Sequence, residues 1–296
     1  MAKQSKKSKE AAKAAQAELL KKTEEFTSDL CQQLAAGANP DLMKRWLDQV
    51  GMFHKYSRHN QLLIWGQMPQ ATMINSYKRW QKLGRQVIKG TKAIYVLAPR
   101  TYTNTEEDAE TGEEKTRSGM YFVGVPVFDI SQTDGDPLDN LYGDLEGARA
   151  VYDAAKQFAQ ANGISVEEVA LDGFADGAAS DGLIELDTRA VKGSTDGRAL
   201  CTILHELAHQ HLHVGPDAEE TSREIEELEA EAVAYTCIRH YGYEPNEMSA
   251  LYITTWGGDV EKVQQSMEHI VDAVQSIIEG VSEYYEAPAE VEAEAS

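Results

Sequence analysis

The sequence predicts an α+β protein of two domains: an N-terminal α+β domain, and a C-terminal domain that is mostly helical with a small sheet. Three observations lead there. The 296 residues are 42% apolar, enough for two modest cores. Helical periodicities alternate with short strand-like runs in both halves. A turn-rich break, Gln132-Thr133-Asp134-Gly135-Asp136-Pro137, divides them. The expected layout is a basic flexible arm over 1–22, a first domain over 23–133, a second over 140–280 and an acidic disordered tail over 281–296.

Residues 1–22 are rich in Lys, Ala and Gln without an apolar stripe, hence the arm or a marginal helix. From 23 to 52 the spacing is helical, with Phe26, Leu30 and Leu34 in register, and Asn39-Pro40 marks a helix start. Ser57 is placed to cap a helix through Trp65, ended by Gly66. Ser76 is placed to cap Tyr77 to Leu83, closed by Gly84. Strand-like pieces follow at Val87-Ile88 and Ala93–Leu97, and the acidic stretch Glu106–Glu114 separates them from a strand over Tyr121–Phe128. The second half reads as a helix near 145–161, a strand over Gly182–Leu186, and helices near 197–213, 222–241 and 259–280.

No apolar run approaches the roughly 20 residues that cross a bilayer, so no membrane partner is expected. The basic N-terminus leads into no apolar signal segment. Cys31, Cys201 and Cys237 form no CxxC and suit the reduced thiols of a cytoplasmic protein.

The net charge of −21 is segregated. Residues 49–105 carry nine Lys and Arg and no acidic residue, whereas residues 106–296 carry 42 acidic and ten basic ones. The basic segment interleaves Phe53, Tyr56, Trp65, Tyr77, Trp80, Tyr95 and Tyr102 with its charges. Single-stranded nucleic acid is held by this mixture, cations following phosphates and rings stacking on bases. The candidate contacts are Lys55, Arg58, Tyr77, Lys78 and Arg79, then Trp80, Lys82, Arg85, Lys89 and Lys92. Trp65, following Leu62-Leu63-Ile64, reads as core; Trp80, among Lys78, Arg79 and Lys82, reads equally as core or as a stacking ring. No duplex-reading motif is present.

The sharpest signal is His205-Glu206-Leu207-Ala208-His209. Two histidines four apart share a helical face and reach one zinc ion per chain, with Glu206 placed as general base. Leu200, Ile203, Leu204, Leu207 and Ala208 make the helix a buried one. The metzincin continuation needs Gly at 212 and His at 215, where this chain has Leu212 and Gly215. A third ligand is therefore expected from the next helix. There Glu227 and Glu231 fall within the apolar arc of Leu228, Ala232, Ala234, Tyr235 and Ile238, while Glu226 and Glu229 point away. One carboxylate is read as ligand and the other as a partner of a ligating imidazole, Glu227 first and Glu231 second, with the reverse order open.

His211 and His213 read as solvent-exposed residues of a helix end; His213 and Tyr235 are also candidate oxyanion donors. The strand at 182–186 is either an edge on which an extended peptide pairs or an ordinary sheet strand. The expected chemistry is hydrolysis of a protein or peptide by metal-activated water. The other reading is a non-enzymatic protein that coats single-stranded DNA, its zinc purely structural. Structural zinc normally takes four protein ligands, and three plus a poised Glu206 favour the enzyme.

The chain resembles the ArdC family of plasmid antirestriction proteins. The likeness rests on Tyr56-Ser57-Arg58-His59-Asn60-Gln61-Leu62-Leu63-Ile64-Trp65, on Tyr77 through Val87, on Lys89-Gly90 and on Val127-Phe128-Asp129-Ile130-Ser131-Gln132-Thr133. In the second half it rests on His205–His209, on Glu226–Glu231, and on Tyr252-Ile253 and Trp256. The resemblance implies an N-terminal domain that binds single-stranded DNA, a zincin domain related to the ImmA/IrrE metallopeptidases, and protection of incoming DNA during conjugation. Gln210-His211-Leu212-His213 departs from the family's Thr-Gly-His-like continuation.

Overall fold

The structure is a computed structural model that describes residues 2–36, 40–107, 114–135, 148–172, 175–192, 196–215, 218, 221–243 and 259–285. It divides into two units, Met1–Asp29 with Tyr56–Asp136, and Leu30–Lys55 with Pro137–Ser296.

In the first unit, helix α1 (Ala2–Ala35, whose last residues belong to the second unit) is continuous, so residues 2–22 are helix rather than a flexible arm. Its Leu19 and Phe26 are seated against Gly124 and Gly66, where a Cβ would stand 2.7 and 2.1 Å from their side chains. Apolar anchoring from residue 19 onward supplies the stability that propensity alone does not. Helix α3 (Arg58–Gln67) starts at Ser57, whose side chain accepts from Asn60 N as expected. After strand β1 (Ile74–Asn75), α4 (Tyr77–Lys82) starts at the predicted cap, Ser76. Strand β2 (Gln86–Val87) pairs with β5 (Thr133–Asp134), and in the main sheet β4 (Glu114–Asp129) lies between β1 and β3 (Ile94–Glu107).

β3 (Ile94–Glu107) and β4 (Glu114–Asp129) form one long antiparallel hairpin, from Ile94 opposite Val127 to Glu107 opposite Glu114. The acidic stretch 106–114 is therefore not a separator: its ends are paired strand. The far edge of β3 is closed by side chains. Asn60 Nδ2 donates to Leu97 O (2.9 Å) and its Oδ1 accepts from Leu97 N (2.7 Å). Gln67 does the same at Tyr95, at 2.9 and 3.0 Å.

The Val127–Thr133 motif folds as a knot around Asp129, which is 1% exposed. Its carboxylate accepts from Thr72 N, Met73 N, Ser131 N and Ser131 Oγ at 2.7–3.0 Å. Gln132 Oε1 accepts from Asp129 N, completing a capping box on a short 3-10 turn, Ile130–Gln132.

In the second unit, α2 (Pro40–Met52) buries Met43, Trp46, Leu47 and Val50. Asp48 Oδ1 accepts from Tyr235 Oη and Arg239 Nε, both at 3.2 Å, so residues 30–55 group with the C-terminal half and not with 56–133. The remaining elements are α5 (Ala148–Ala161), β6 (Ser165–Val169), β7 (Gly177–Ser180), β8 (Leu183–Asp187), α6 (Thr188–Lys192), α7 (Asp196–Leu212), α8 (Arg223–His240) and α9 (Val260–Ser282). The sheet order is β6-β8-β7, so the strand at 182–186 is central and β7 is an outer strand. The strand at 182–186 is therefore an ordinary sheet strand and not a peptide-accepting edge. α9 continues to Ser282, past the expected start of the tail; residues 286–296, like Tyr252, Ile253 and Trp256, lie outside the described residues. No helix of the described residues is long and apolar enough to cross a membrane.

Candidate metal centre

α7 carries the centre because its apolar residues leave one polar row. Leu200, Ile203, Leu204, Leu207 and Ala208 are at most 2% exposed, while His205 and His209 lie one turn apart on the face toward α8. Their Nε2 atoms stand 3.0 Å apart. From α8, Glu227 Oε2 lies 3.5 Å from His205 Nε2 and 3.8 Å from His209 Nε2. Two nitrogens each about 2.0–2.1 Å from a tetrahedral ion stand about 3.3 Å apart, so the two imidazoles and the carboxylate fit a divalent ion. His205, His209 and Glu227 are the three-residue group of this kind among the described residues.

The surrounding contacts orient these side chains. Glu231 Oε2 is 3.2 Å from His205 Nδ1, the partner position expected of it. His213 is not a solvent-exposed end: its side chain is 6% exposed, and its Nδ1 stands 3.0 Å from His209 Nδ1. Its Nε2 stands 3.0 Å from Glu229 Oε2. Glu229, expected to point outward, is 1% exposed, because α8 is packed by α2, α7 and α9 and has no single apolar arc. Tyr235 is 4% exposed and bonded to Asp48, so it is not an oxyanion donor. His211 is exposed. Sequence reasoning missed the His213–Glu229 pair; the available signal was a third histidine at the same four-residue interval along α7.

Glu206, between the two histidines, is 5% exposed. It lies against β7, where a Cβ at Gly177 would stand 2.7 Å from Glu206 Oε1. Burial pushes its carboxyl up to about 7, against the pull of His205. Burial also disfavours charge on His205, but hydrogen bonds to Glu227 and Glu231 outweigh this and raise its pKa. The bond to His205 in turn lowers Glu227, and burial followed by the His205 charge lowers His209. The cleft encloses about 720 Å³, with Ala178, Ala179 and Arg223 at its margin; Arg223 Nε is 3.6 Å from Glu227 Oε1.

The basic residues divide into two groups. Lys78, Arg79, Lys82, Lys89 and Lys92 are exposed, as is Tyr77 at 43%, and Arg58 is half-buried. Lys55 is exposed but belongs to the second unit. Trp80 is fully buried and donates from Nε1 to Phe128 O (2.7 Å), so it is core and not a stacking ring. Trp65 is core as expected. Arg85 ties β2 to β5 through Thr133 Oγ1 (2.8 Å) and Gly135 O (3.0 Å). On the hairpin, exposed Tyr102 and Tyr121 face one another at 6.1 Å between rings, with Arg100 opposite Tyr121.

Fold and site together define a two-unit α+β protein whose second unit aims two helix-borne histidines and a glutamate at one point. Residues 19–128 match the family described as the N-terminal domain of anti-restriction factor ArdC, and that stretch of the chain is similar to it. An uncharacterized protein of Bacillus anthracis is 26% identical over 284 residues, covering 81% of this chain and 48% of its own, so the chain spans about half the length of that relative. Two solved structures of the antirestriction ArdC protein from plasmid R388 are similar. The metal-free one has 22% identity and a TM-score of 0.43, covering 77% of this chain and 86% of its own. The Mn(II)-bound one has 18% identity and a TM-score of 0.49, covering 88% and 98%.

Proposed function

We propose that the chain is an antirestriction-type protein in which a unit that binds single-stranded DNA is joined to a metal-dependent peptidase. The observation that carries the peptidase reading is the convergence of His205, His209 and Glu227 beside a buried Glu206. These three side chains would hold a divalent ion, zinc by donor preference. When bound, such an ion supplies an acidified water and a Lewis acid for a carbonyl. Glu206, buried beside the three ligands with its carboxyl raised by that burial, would be the base that receives a proton from such a water and the acid that returns it to the leaving amine. The outer edge of β7, at Gly177-Ala178-Ala179, has no partner strand among the described residues; it would pair with an extended peptide and bring its carbonyl beside Glu206.

The DNA reading rests on the acid-free segment 49–105 and its exposed Lys78, Arg79 and Lys82, with Tyr77, Tyr102 and Tyr121 as stacking rings. A coating protein with a purely structural metal is the less supported reading: among the described residues three protein ligands converge and not four.

The deciding experiment compares wild type with Glu206→Gln on a mixed peptide library in the presence of Zn²⁺. Cleavage by the wild type, lost in Glu206→Gln at unchanged metal content, supports the peptidase. Equal products from both, or none from the wild type, leaves the coating reading.

A further inference from the structure

His213, Glu229 and His269 extend from the metal centre through the interior of the second unit. The hydrolytic reading uses none of them, yet Glu229 is a carboxylate with 2% of its side chain exposed. A buried carboxylate is costly unless hydrogen-bonded. Its two oxygens are shared between two imidazoles: Oε2 lies 3.0 Å from His213 Nε2, and Oε1 lies 3.4 Å from His269 Nδ1 on α9.

The proton positions follow from the geometry. His209 Nε2 faces His205 Nε2 and Glu227, so this nitrogen offers its lone pair to an ion. A neutral imidazole carries one hydrogen, which then sits on Nδ1. At 3.0 Å from that hydrogen's nitrogen, His213 Nδ1 must be the acceptor. His213 therefore carries its own hydrogen on Nε2 and donates it to Glu229. Every donor meets an acceptor only in this arrangement.

We propose that His213 and Glu229 are positioning residues that lock His209 in its metal-ligating tautomer and ring orientation. This inference rests on the metal reading above. Glu231 does for His205 what the His213–Glu229 pair does for His209, through one more ring. Such outer partners typically govern about 10–100-fold in metal affinity.

The test measures Zn²⁺ affinity against a chromophoric chelator in full-length wild type, His213→Phe, His213→Gln and Glu229→Gln, with melting of each metal-free protein as a folding control. His213→Phe removes acceptor and donor, and its affinity should fall about 10–100-fold. His213→Gln restores an acceptor and a donor on one planar group and should recover most of that loss, which a filler of space would not. If His213→Phe does not fold, Glu229→Gln, nearly isosteric, should lose affinity in the same direction. Nitrogen-15 spectra of the wild-type histidine rings with Zn²⁺ bound need no variant and should place the His213 hydrogen on Nε2. Unchanged affinity in the folded variants, or the opposite tautomer, overturns the relay alone. A wild type that takes up no Zn²⁺ overturns the metal reading and the relay with it.

Discussion

Gly177 and Glu206 compete for the same space. The carboxylate read as the general base lies where any side chain at 177 would begin, 2.7 Å from Oε1 and 2.9 Å from Cγ. Two elements remote in sequence, an outer strand and a buried helix, are thus matched by the absence of one carbon. Gly177→Ala should push Glu206 aside while leaving His205, His209 and Glu227 in place. We expect about a 100-fold loss of peptide cleavage with metal content unchanged, read by kinetics alongside elemental analysis.

Metal uptake should strengthen with rising pH. Without an ion, Glu227 and Glu231 favour a proton on His205 across the neutral range despite its burial. Binding must displace that proton, so affinity should rise about tenfold per pH unit for each proton released and fall in acid. Chelator competition at several pH values measures the slope; a flat profile would contradict the ligand role of His205.

Much of both units was legible in the sequence where the constraints are local. The four-residue spacing of His205 and His209 and the polarity of α7 set the helix face, and the caps at Ser57 and Ser76 set the starts of α3 and α4. What escaped depended on partners distant in the chain. Trp80 sits among cations in sequence, yet its ring fills the core beneath β4 and its N–H finds Phe128 O. The outer half of the β3–β4 hairpin is polar and acidic, so strand pairing there has no apolar alternation to announce it. Glu229 looked solvated because a helix wheel assumes one wet face, and α8 has almost none.

DNA affinity should separate the exposed cations from the buried ring. Replacing Lys78, Arg79 and Lys82 together by Ala should lower the slope of log affinity against log salt by about two on single strands. Tyr102→Ala with Tyr121→Ala should cost about 1–3 kcal/mol per base no longer stacked. Trp80→Ala should lower the melting temperature first. Fluorescence titrations at several salt concentrations, with thermal melts, distinguish these effects.

Asp187, at the end of β8, should make the second unit acid-sensitive. Hydrogen bonds from Arg189, then from Arg189 N and Leu171 N, hold its carboxyl far below the ordinary carboxylate range despite its enclosure. A depressed folded-state pKa adds stability above the unfolded value near 4, and this is lost as pH falls below it. Asp187→Asn should therefore be less stable than wild type near neutral pH, the gap closing in acid, as urea melts at two pH values would reveal.

Asp129→Ala should destabilise the first unit by about 3 kcal/mol, since it strands the backbone N–H groups of Thr72 and Met73 that the carboxylate now receives. Denaturant unfolding monitored by the buried Trp80 would report it.

The clasp of Asn60 and Gln67 on β3 reaches beyond the chain's own folding. An open sheet margin invites a neighbouring molecule to dock as one more strand, a route to aggregates. Here the groups that would recruit it at Tyr95 and Leu97 are already taken by carboxamides, which neither gain nor lose a proton across the biological range. The seal holds in acid and at neutrality alike, and breaching it needs only an exchange of either amide for a side chain of equal length that cannot both give and receive a hydrogen.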